Sequence, residues 1–417
     1  MLSAAILSIG DELLIGQVVN TNASYLSQQL NAIGVDVTSV VTVGDDAVQL
    51  RRAIDRAWKE HDVVIATGGL GPTHDDISKH IVAKYFKKQL HLDKATLRRV
   101  KARFVAYGYK RMPEANIGQA MVPDDFEALA NARGTAPGLW YHTKGKTFVI
   151  LPGVPHEMKH LTETHLIRRF KQIYAKKLGA VILHRTVLTT GIGESALAEK
   201  VGNVKDFLET GATLAFLPKT SGVRLRISVR HESERTANAI IARIEKKIRE
   251  RVGTAIFGTE EQTLEEVVVG LLRAKKKTLA TAESCTGGML SMRITNVSGS
   301  SKVFEGGVIS YSNEAKMREL GVPAAIIKKH GAVSEETARA MAEGVRKKFG
   351  TDYTLAITGI AGPDGGTKEK PVGTVYIALA SKKQTLVKLA HFGGERQIVR
   401  ERSADAALEM LRRALLL

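Results

Sequence analysis

Four short segments near the end of the chain concentrate side chains suited to nucleophilic catalysis and anion binding. The first, Thr281-Ala282-Glu283-Ser284-Cys285-Thr286-Gly287-Gly288, follows an apolar run and leads into a helical pattern over residues 289–295. A hydroxyl at such a junction sits at a helix amino terminus, whose dipole stabilises developing negative charge. The second runs from Gly306 to Lys316 and supplies Tyr311 and Lys316. A desolvated lysine beside a serine serves as general base, with the tyrosine relaying the proton, provided that both strands end on one sheet edge. The third, Thr358 to Gly366, follows a buried run at 353–357, and its glycines suit a phosphate cradle. In the fourth, Arg396 and Arg400 lie one helical turn apart and can grip one anion together. Cys285 is a rival nucleophile, because a thiolate attacks amides once its pKa is lowered. Taken singly, each residue also has a plain structural account: Ser284 and Thr358 as helix caps, Tyr311 as core packing, Lys316 as a solvated base.

The amino-terminal region has its own loop clusters: Gly10-Asp11-Glu12 with Asn20-Thr21-Asn22, then Thr67-Gly68-Gly69-Leu70-Gly71-Pro72-Thr73-His74-Asp75-Asp76, then Leu151-Pro152-Gly153-Val154-Pro155. A strand followed by a glycine-rich turn and polar caps aims backbone N–H groups at a phosphate. The paired acids Asp75 and Asp76 suit a divalent cation bridging phosphate oxygens. The run from His156 to His160 satisfies HExxH, with His165 beyond, so a zinc-protease helix is geometrically open. It begins directly after a Pro-Gly-Val-Pro turn, a context that does not suit that chemistry.

The elements that must position these residues are legible as alternating strands and helices. Residues 4–8, 37–43 and 63–67 read as strands, and 23–33 as a helix. Asp45 and Asp46 can cap a second helix, on which Leu50, Ala53, Ile54, Ala57 and Trp58 share a face. Repeated units of this kind predict a doubly wound α/β domain over 1–172, with ligands beyond the carboxyl ends of the strands. Residues 173–255 read as a small α+β unit: strands at 185–190, 213–217 and 223–230, and helices at 194–201 and 236–252. Residues 253–263 read as a linker. The third domain, 256–417, is again α/β, its helix at 264–274 capped by Thr263 and followed by a strand at 278–282. The expected fold class is thus α/β in three domains.

The chain has 417 residues, 44% hydrophobic and 25% charged, and one cysteine. That composition excludes an internal disulfide and disfavours a zinc–thiolate site. The amino terminus lacks the basic and uninterrupted apolar regions of a secretory signal, and no apolar stretch reaches the roughly 20 residues of a membrane span. A cytoplasmic location without membrane partners is the expectation. Sixty-one Lys and Arg against 43 Asp and Glu leave a net charge of +18, which favours anionic partners. The basic residues are scattered along helices without aromatic interleaving, so they read chiefly as solvated faces and nucleic acid is disfavoured.

The order GDE, TGGLGPTHDD, LPGVPHE resembles the molybdopterin-binding domain family. The segments MPEANIGQAMVP and NARGTAPGLW narrow the resemblance to the amino-terminal domain of the CinA (competence/damage-inducible protein A) family. It implies a pyrophosphatase cleaving ADP-ribose with a divalent metal (Co, Mg or similar) and potassium. Asp11, Asp45, Asp75 and Asp76 become its metal candidates, and Gly68, Gly69, Gly71 and Thr73 its phosphate contacts. The middle unit is similar to the family's KH-like domain, although Gly191-Ile192-Gly193-Glu194 lacks the GxxG spacing with which KH modules clamp nucleic acid. TAESCTGG, GGVISYSNEAK, GAVSEETA, TGIAGPDGG and KPVGTVYIALA resemble the family's carboxy-terminal domain, the nicotinamide-nucleotide amidase. That resemblance implies hydrolysis of nicotinamide mononucleotide without a cofactor. Ser284 would be the nucleophile, activated by Tyr311 and Lys316. Thr358 would position substrate or oxyanion, Gly287, Gly288 and Gly362 would contact substrate, and Arg396 or Arg400 would bind its phosphate. A homodimer is the default assembly. Alternatives are a nucleic-acid-associated or molybdopterin-binding protein with inactive sites.

Overall fold

The structure is a computed structural model that describes residues 2–73, 76–220 and 222–417. Its architecture is mixed α/β in three domains. By compactness the chain divides into one unit of residues 1–183 with 229–239, and a second of 184–228 with 240–417.

In the first unit the strand Val63–Thr67 is buried at every residue, as a parallel strand covered on both faces must be. The sheet order is Asp36–Val43, Ser3–Ile9, Val63–Thr67, Lys146–Leu151, Gly138–Thr143, Glu127–Leu129. The first four strands are parallel, Gly138–Thr143 runs antiparallel to them, and Glu127–Leu129 runs antiparallel to Gly138–Thr143. The order reverses between Ser3–Ile9 and Val63–Thr67, so the loops after them diverge and open a crevice at their carboxyl ends. Asp46 caps the helix Ala47–Glu60 by accepting from the Val48 and Gln49 N–H groups, while Leu50, Ile54 and Ala57 of that helix are buried. The helix expected at 23–33 starts earlier, at Thr21, because the Asn20 side chain accepts from Ala23 N–H. Asp11–Leu14 forms a short helix where a loop was expected.

The middle elements build a sheet ordered Ala212–Lys219, Gly222–His231, Val181–Thr189, Ile256–Thr259. The last strand corrects the expected linker at 253–263: Ile256–Thr259 pairs antiparallel with Val181–Thr189.

The final sheet is ordered Phe304–Ile309, Leu279–Glu283, Tyr353–Gly359, Thr374–Ser381, Thr385–His391, the first three strands parallel. Its switch point lies between Leu279–Glu283 and Tyr353–Gly359. One face carries large aliphatics, Leu279, Leu355, Ile357, Val375 and Ile377, packed with Val268 and Leu272 of the helix Leu264–Lys275 and Leu408 and Leu411 of the helix Arg396–Leu416. The other is lined by small residues, Ala280, Ala282, Ala356, Ala378 and Ala380, which admit Met341 and Val345 of the helix Glu335–Phe349. The helix Leu264–Lys275 begins at the expected Thr263 cap, which Glu266 completes as a capping box. Among the described residues, no helix is long and apolar enough to cross a membrane.

Gly344 marks the tightest helix contact of this layer. A Cβ there would stand 1.9 Å from the Leu320 carbonyl oxygen. Alanine is the better helix former in an open helix. Here Gly344→Ala is expected to destabilise by about 1–3 kcal/mol, as overpacking does, read as a lower urea midpoint; an unchanged or higher midpoint would contradict the packing.

Candidate active sites

Leu279–Glu283 ends at the switch point, and the chain turns there through Ser284 to Gly288. The Ser284 N–H donates to Ile357 O at 2.9 Å, extending the parallel ladder by one bond and fixing the serine at the sheet edge. Gly287 and Gly288 both adopt positive φ, 58° and 92°, the left-handed conformation that closes the turn. Their N–H groups are committed, Gly287 to Ser284 O and Gly288 to a Glu283 oxygen. The two glycines therefore shape the turn, and a contact with substrate would use their bare Cα surface rather than their N–H groups.

Glu283 was not singled out in the sequence. Its buried carboxylate accepts from the N–H groups of Gly288, Leu290 and Ser291 and from the Ser291 hydroxyl. These are the donors at the start of the helix Met289–Thr295, so the dipole expected to serve Ser284 is already capped by an anion. The signal was present: an acid ending an apolar strand, within one turn of a helix start.

Lys316 comes from the helix Asn313–Leu320, which starts at a Ser312 cap. It is only 1% exposed. Its Nζ lies 2.9 Å from Ser284 Oγ, 2.8 Å from Ser310 O and 3.3 Å from Tyr311 O. Carbonyl oxygens only accept, so two N–H bonds of the amine are assigned to them. The third contact is a hydroxyl, which takes a proton from an ammonium or gives one to a neutral amine. Burial pushes the Lys316 pKa down, favouring the neutral amine whose lone pair faces Ser284. The expected tyrosine relay does not form. Lysine and serine touch directly, and the exposed Tyr311 hydroxyl accepts from Arg396 Nη2 at 2.8 Å.

The remaining residues gather around this pair with other tasks. The Thr358 hydroxyl donates to Ala332 O at 2.7 Å, so its proton is not available to an oxyanion. Arg396 Nη1 donates to Gly362 O at 2.7 Å, tying the third loop to the final helix. Arg400 Nη2 donates to Thr286 O at 2.8 Å and Nη1 to the Gln397 side chain. The arginines thus hold different loops, rather than one shared point, and each keeps donors to spare. Cys285 is buried in the core beneath the sheet, and burial pushes its thiol up to about 11, although Lys316 and Arg396 pull the other way.

In the first unit, a cavity of about 520 Å³ opens at the switch point between the loops after Ser3–Ile9 and Val63–Thr67. Gly68, Gly69 and Gly71 line it together with Glu12, Asp45, Asp76 and Glu157. A Cβ at Gly69 would meet Ser78 Oγ at 2.0 Å, so the loop has to be bare there. The Gly68 N–H continues the ladder to Leu151 O and is not free for phosphate. Thr73 gives both its N–H and its hydroxyl to Asp76 Oδ2, at 2.9 and 2.5 Å, which corrects its expected phosphate contact. Asp11 does not line the cavity. It locks the loop by exchanging hydrogen bonds with Asp45, Asp45 N–H to Asp11 Oδ1 and Asp11 N–H to Asp45 Oδ2. Asp75 lies outside the described residues.

Glu12 and Glu157 were missed as lining groups. Glu157 accepts from Asn131 Nδ2 at 2.5 Å, and Gly134 leaves the space its carboxylate occupies. Burial pushes the Glu157 carboxyl up. The HExxH helix therefore turns its glutamate into the glycine-loop cavity, while His165 meets Ala130 O. Among the described residues, no three His, Cys, Asp or Glu side chains gather closely enough to hold a metal alone. The acids that line the cavity offer only hard oxygen donors, which suit a divalent cation completed by water and phosphate oxygens.

The family descriptions that match this chain are the probable molybdopterin binding domain over residues 5–172, the damage-inducible protein CinA KH domain over 184–258, and the CinA C-terminal domain over 261–415. A CinA-like protein from Kosmotoga olearia is 46% identical over 418 residues, covering 100% of this chain and 99% of that protein. The chain belongs to the CinA family. A putative competence-damage inducible protein from Caldicellulosiruptor bescii is 45% identical over 415 residues, covering 99% of each chain. The solved structure of the competence/damage inducible protein CihA from Agrobacterium tumefaciens is 36% identical, with a TM-score of 0.36, and covers 37% of this chain and 98% of its own. The serine–lysine contact falls within the CinA C-terminal domain, and the glycine-loop cavity within the molybdopterin-binding-like domain of this CinA-family chain.

With its thiol raised, Cys285 is expected to resist alkylation at neutral pH, and Cys285→Ala to keep hydrolytic activity within about threefold of the parent. Rapid labelling by iodoacetamide, or a thousandfold loss of activity, would return Cys285 to the role of nucleophile.

Proposed function

We propose that the carboxy-terminal domain is a serine–lysine amidase that hydrolyses the carboxamide of nicotinamide mononucleotide to nicotinate mononucleotide and ammonia. The observation that carries this reading is the buried Lys316 amine on Ser284 Oγ. Ser284 attacks the carboxamide carbon while Lys316 takes the hydroxyl proton. In this reading, main-chain N–H groups of the turn after Ser284 receive the developing oxyanion. Lys316 then returns the proton to the departing ammonia, leaving an ester on Ser284. Water attacks that ester with Lys316 again as base, releasing the carboxylate and restoring the serine. Arg396 and Arg400 supply the donors for the substrate phosphate, Tyr311 holds Arg396 in place, and Thr358 steadies the third loop. The substrate's identity rests on the resemblance to the nicotinamide-nucleotide amidase.

For the amino-terminal domain we propose cleavage of the pyrophosphate of ADP-ribose, with potassium as a further requirement. Carboxylates drawn from Asp45, Asp76, Glu12 and Glu157, no more than two of them together, would hold the divalent ion with water and phosphate oxygens, and the ion would supply charge neutralisation at the phosphates. The bare glycine loop lets the pyrophosphate approach the main chain. RNA binding by the middle domain is disfavoured, because the Glu409 and Arg413 side chains close on Gly191 of its glycine loop, 3.4 to 3.6 Å from where a Cβ would stand.

Ser284→Ala and Lys316→Met are each expected to lower kcat for ammonia release from nicotinamide mononucleotide by about 10³-fold or more. Full activity in either would sink the mechanism. The pH profile of kcat/KM should rise through a limb below the ordinary lysine range, because the neutral form of Lys316 is the active one. A rate that falls as pH rises through neutrality would contradict the base assignment. A chelator should abolish AMP formation from ADP-ribose and spare ammonia release. Glu157→Gln should lower the first activity at least about tenfold and leave the second unchanged.

A further inference from the structure

The second unit holds another cavity, of about 790 Å³, which falls within the roughly 300–1,000 Å³ of small-molecule sites. None of Ser284, Tyr311, Lys316, Thr358, Arg396 or Arg400 lines it. One wall is the Gly191–Gly193 turn and the end of the strand Ala212–Lys219. The other is the end of the edge strand Thr385–His391 with Phe392, and the outer face of the final helix.

Charge decides what this cavity suits. Two of its acids are already neutralised: Asp405 pairs with Arg293 at 2.8 Å, and Glu409 with Arg412 and Arg413 at 2.7 and 2.6 Å. Lys219 and Lys388 line it with no ion pair or side-chain hydrogen bond among the described residues. Arg402 spends one N–H on Gly393 O at 2.9 Å and keeps the rest of its guanidinium. Only Glu194 opposes these three cations, so the lining carries a surplus of positive charge. Phe392, Ile192 and Met410 add an apolar surface on which a flat ring can lie.

We propose that this cavity binds a nucleotide, its phosphate held by Lys219, Lys388 and Arg402 and its base against Phe392. Arg402 also anchors Gly393, and residues 391–396 form one continuous segment from the cavity wall to Arg396. A bound phosphate takes the spare Arg402 donors and draws the guanidinium toward Lys219 and Lys388, which pulls on Gly393 and shifts Arg396 relative to Gly362 and Tyr311. The site is therefore an effector site for amide hydrolysis; this coupling, unlike the binding itself, rests on the amidase reading.

The test uses the full chain and AMP as probe, by calorimetric titration of the parent and of the double variant Lys219→Glu/Lys388→Glu, with folding checked by circular dichroism. Charge reversal should weaken one class of AMP site at least about tenfold. It should leave the KM for nicotinamide mononucleotide unchanged without AMP, and remove the response of the amidase rate to AMP. Inorganic phosphate should bind the same site at least about tenfold more weakly than AMP, since it lacks the ring. An AMP isotherm indifferent to both charge reversals overturns the site, and equal affinity for phosphate and AMP overturns the nucleotide assignment. If nicotinamide mononucleotide is not turned over at all while AMP binding still depends on Lys219 and Lys388, the nucleotide site stands and the amidase reading alone falls.

Discussion

Burying an amine is costly unless every hydrogen it carries finds an acceptor, and Lys316 shows how the carboxy-terminal domain meets that demand. Two carbonyls at the end of the strand Phe304–Ile309 take two of its hydrogens, and the Ser284 hydroxyl is the third partner. The same burial penalises the ammonium and so favours the neutral amine, whose lone pair would face the serine. Neighbouring features serve this contact. The Ser312 cap starts the lysine's helix, the ladder bond from Ser284 to Ile357 fixes the serine, and Glu283 fixes the turn between them. A shift of about 1 Å in any of these would separate the amine from the hydroxyl.

Both ends of the chain use one topological device. A parallel sheet that reverses its strand order must send two neighbouring loops apart, and the gap at their carboxyl ends is a ready-made site. In the first unit that gap lies between the Gly10 and Gly68 loops and is ringed by carboxylates. In the second it lies between the Ser284 and Ile360 loops and holds a lysine. The device is shared; the chemistry comes from what each loop carries.

The fold was largely legible because buried parallel strands, such as Val63–Thr67, are short apolar runs that end in glycine. The strand Ile256–Thr259 escaped because it is four residues long and pairs only at an edge, so its four residues among turn signals read as linker. Ser284 and Lys316 were legible as types, and the structure supplies their distance. The roles of Tyr311, Thr73 and Asp11 were not, because whether a polar group faces a ligand or its own loop depends on rotamers that spacing does not encode. Glu157 was hidden differently. It sat inside a motif that pointed to zinc, and only Asn131 and Gly134, far from it in sequence, show which way its carboxylate turns.

The central claim is that burial against Ser284 shifts Lys316 toward its neutral form, the form that can take the serine's proton. Its most direct test is NMR titration of the protein carrying ¹³C-labelled lysine side chains, with the Lys316 resonance assigned by its absence in Lys316→Met. The account predicts that the Lys316 amine titrates below the ordinary lysine value of 10.5. A Lys316 resonance that titrates at or above that value would contradict it.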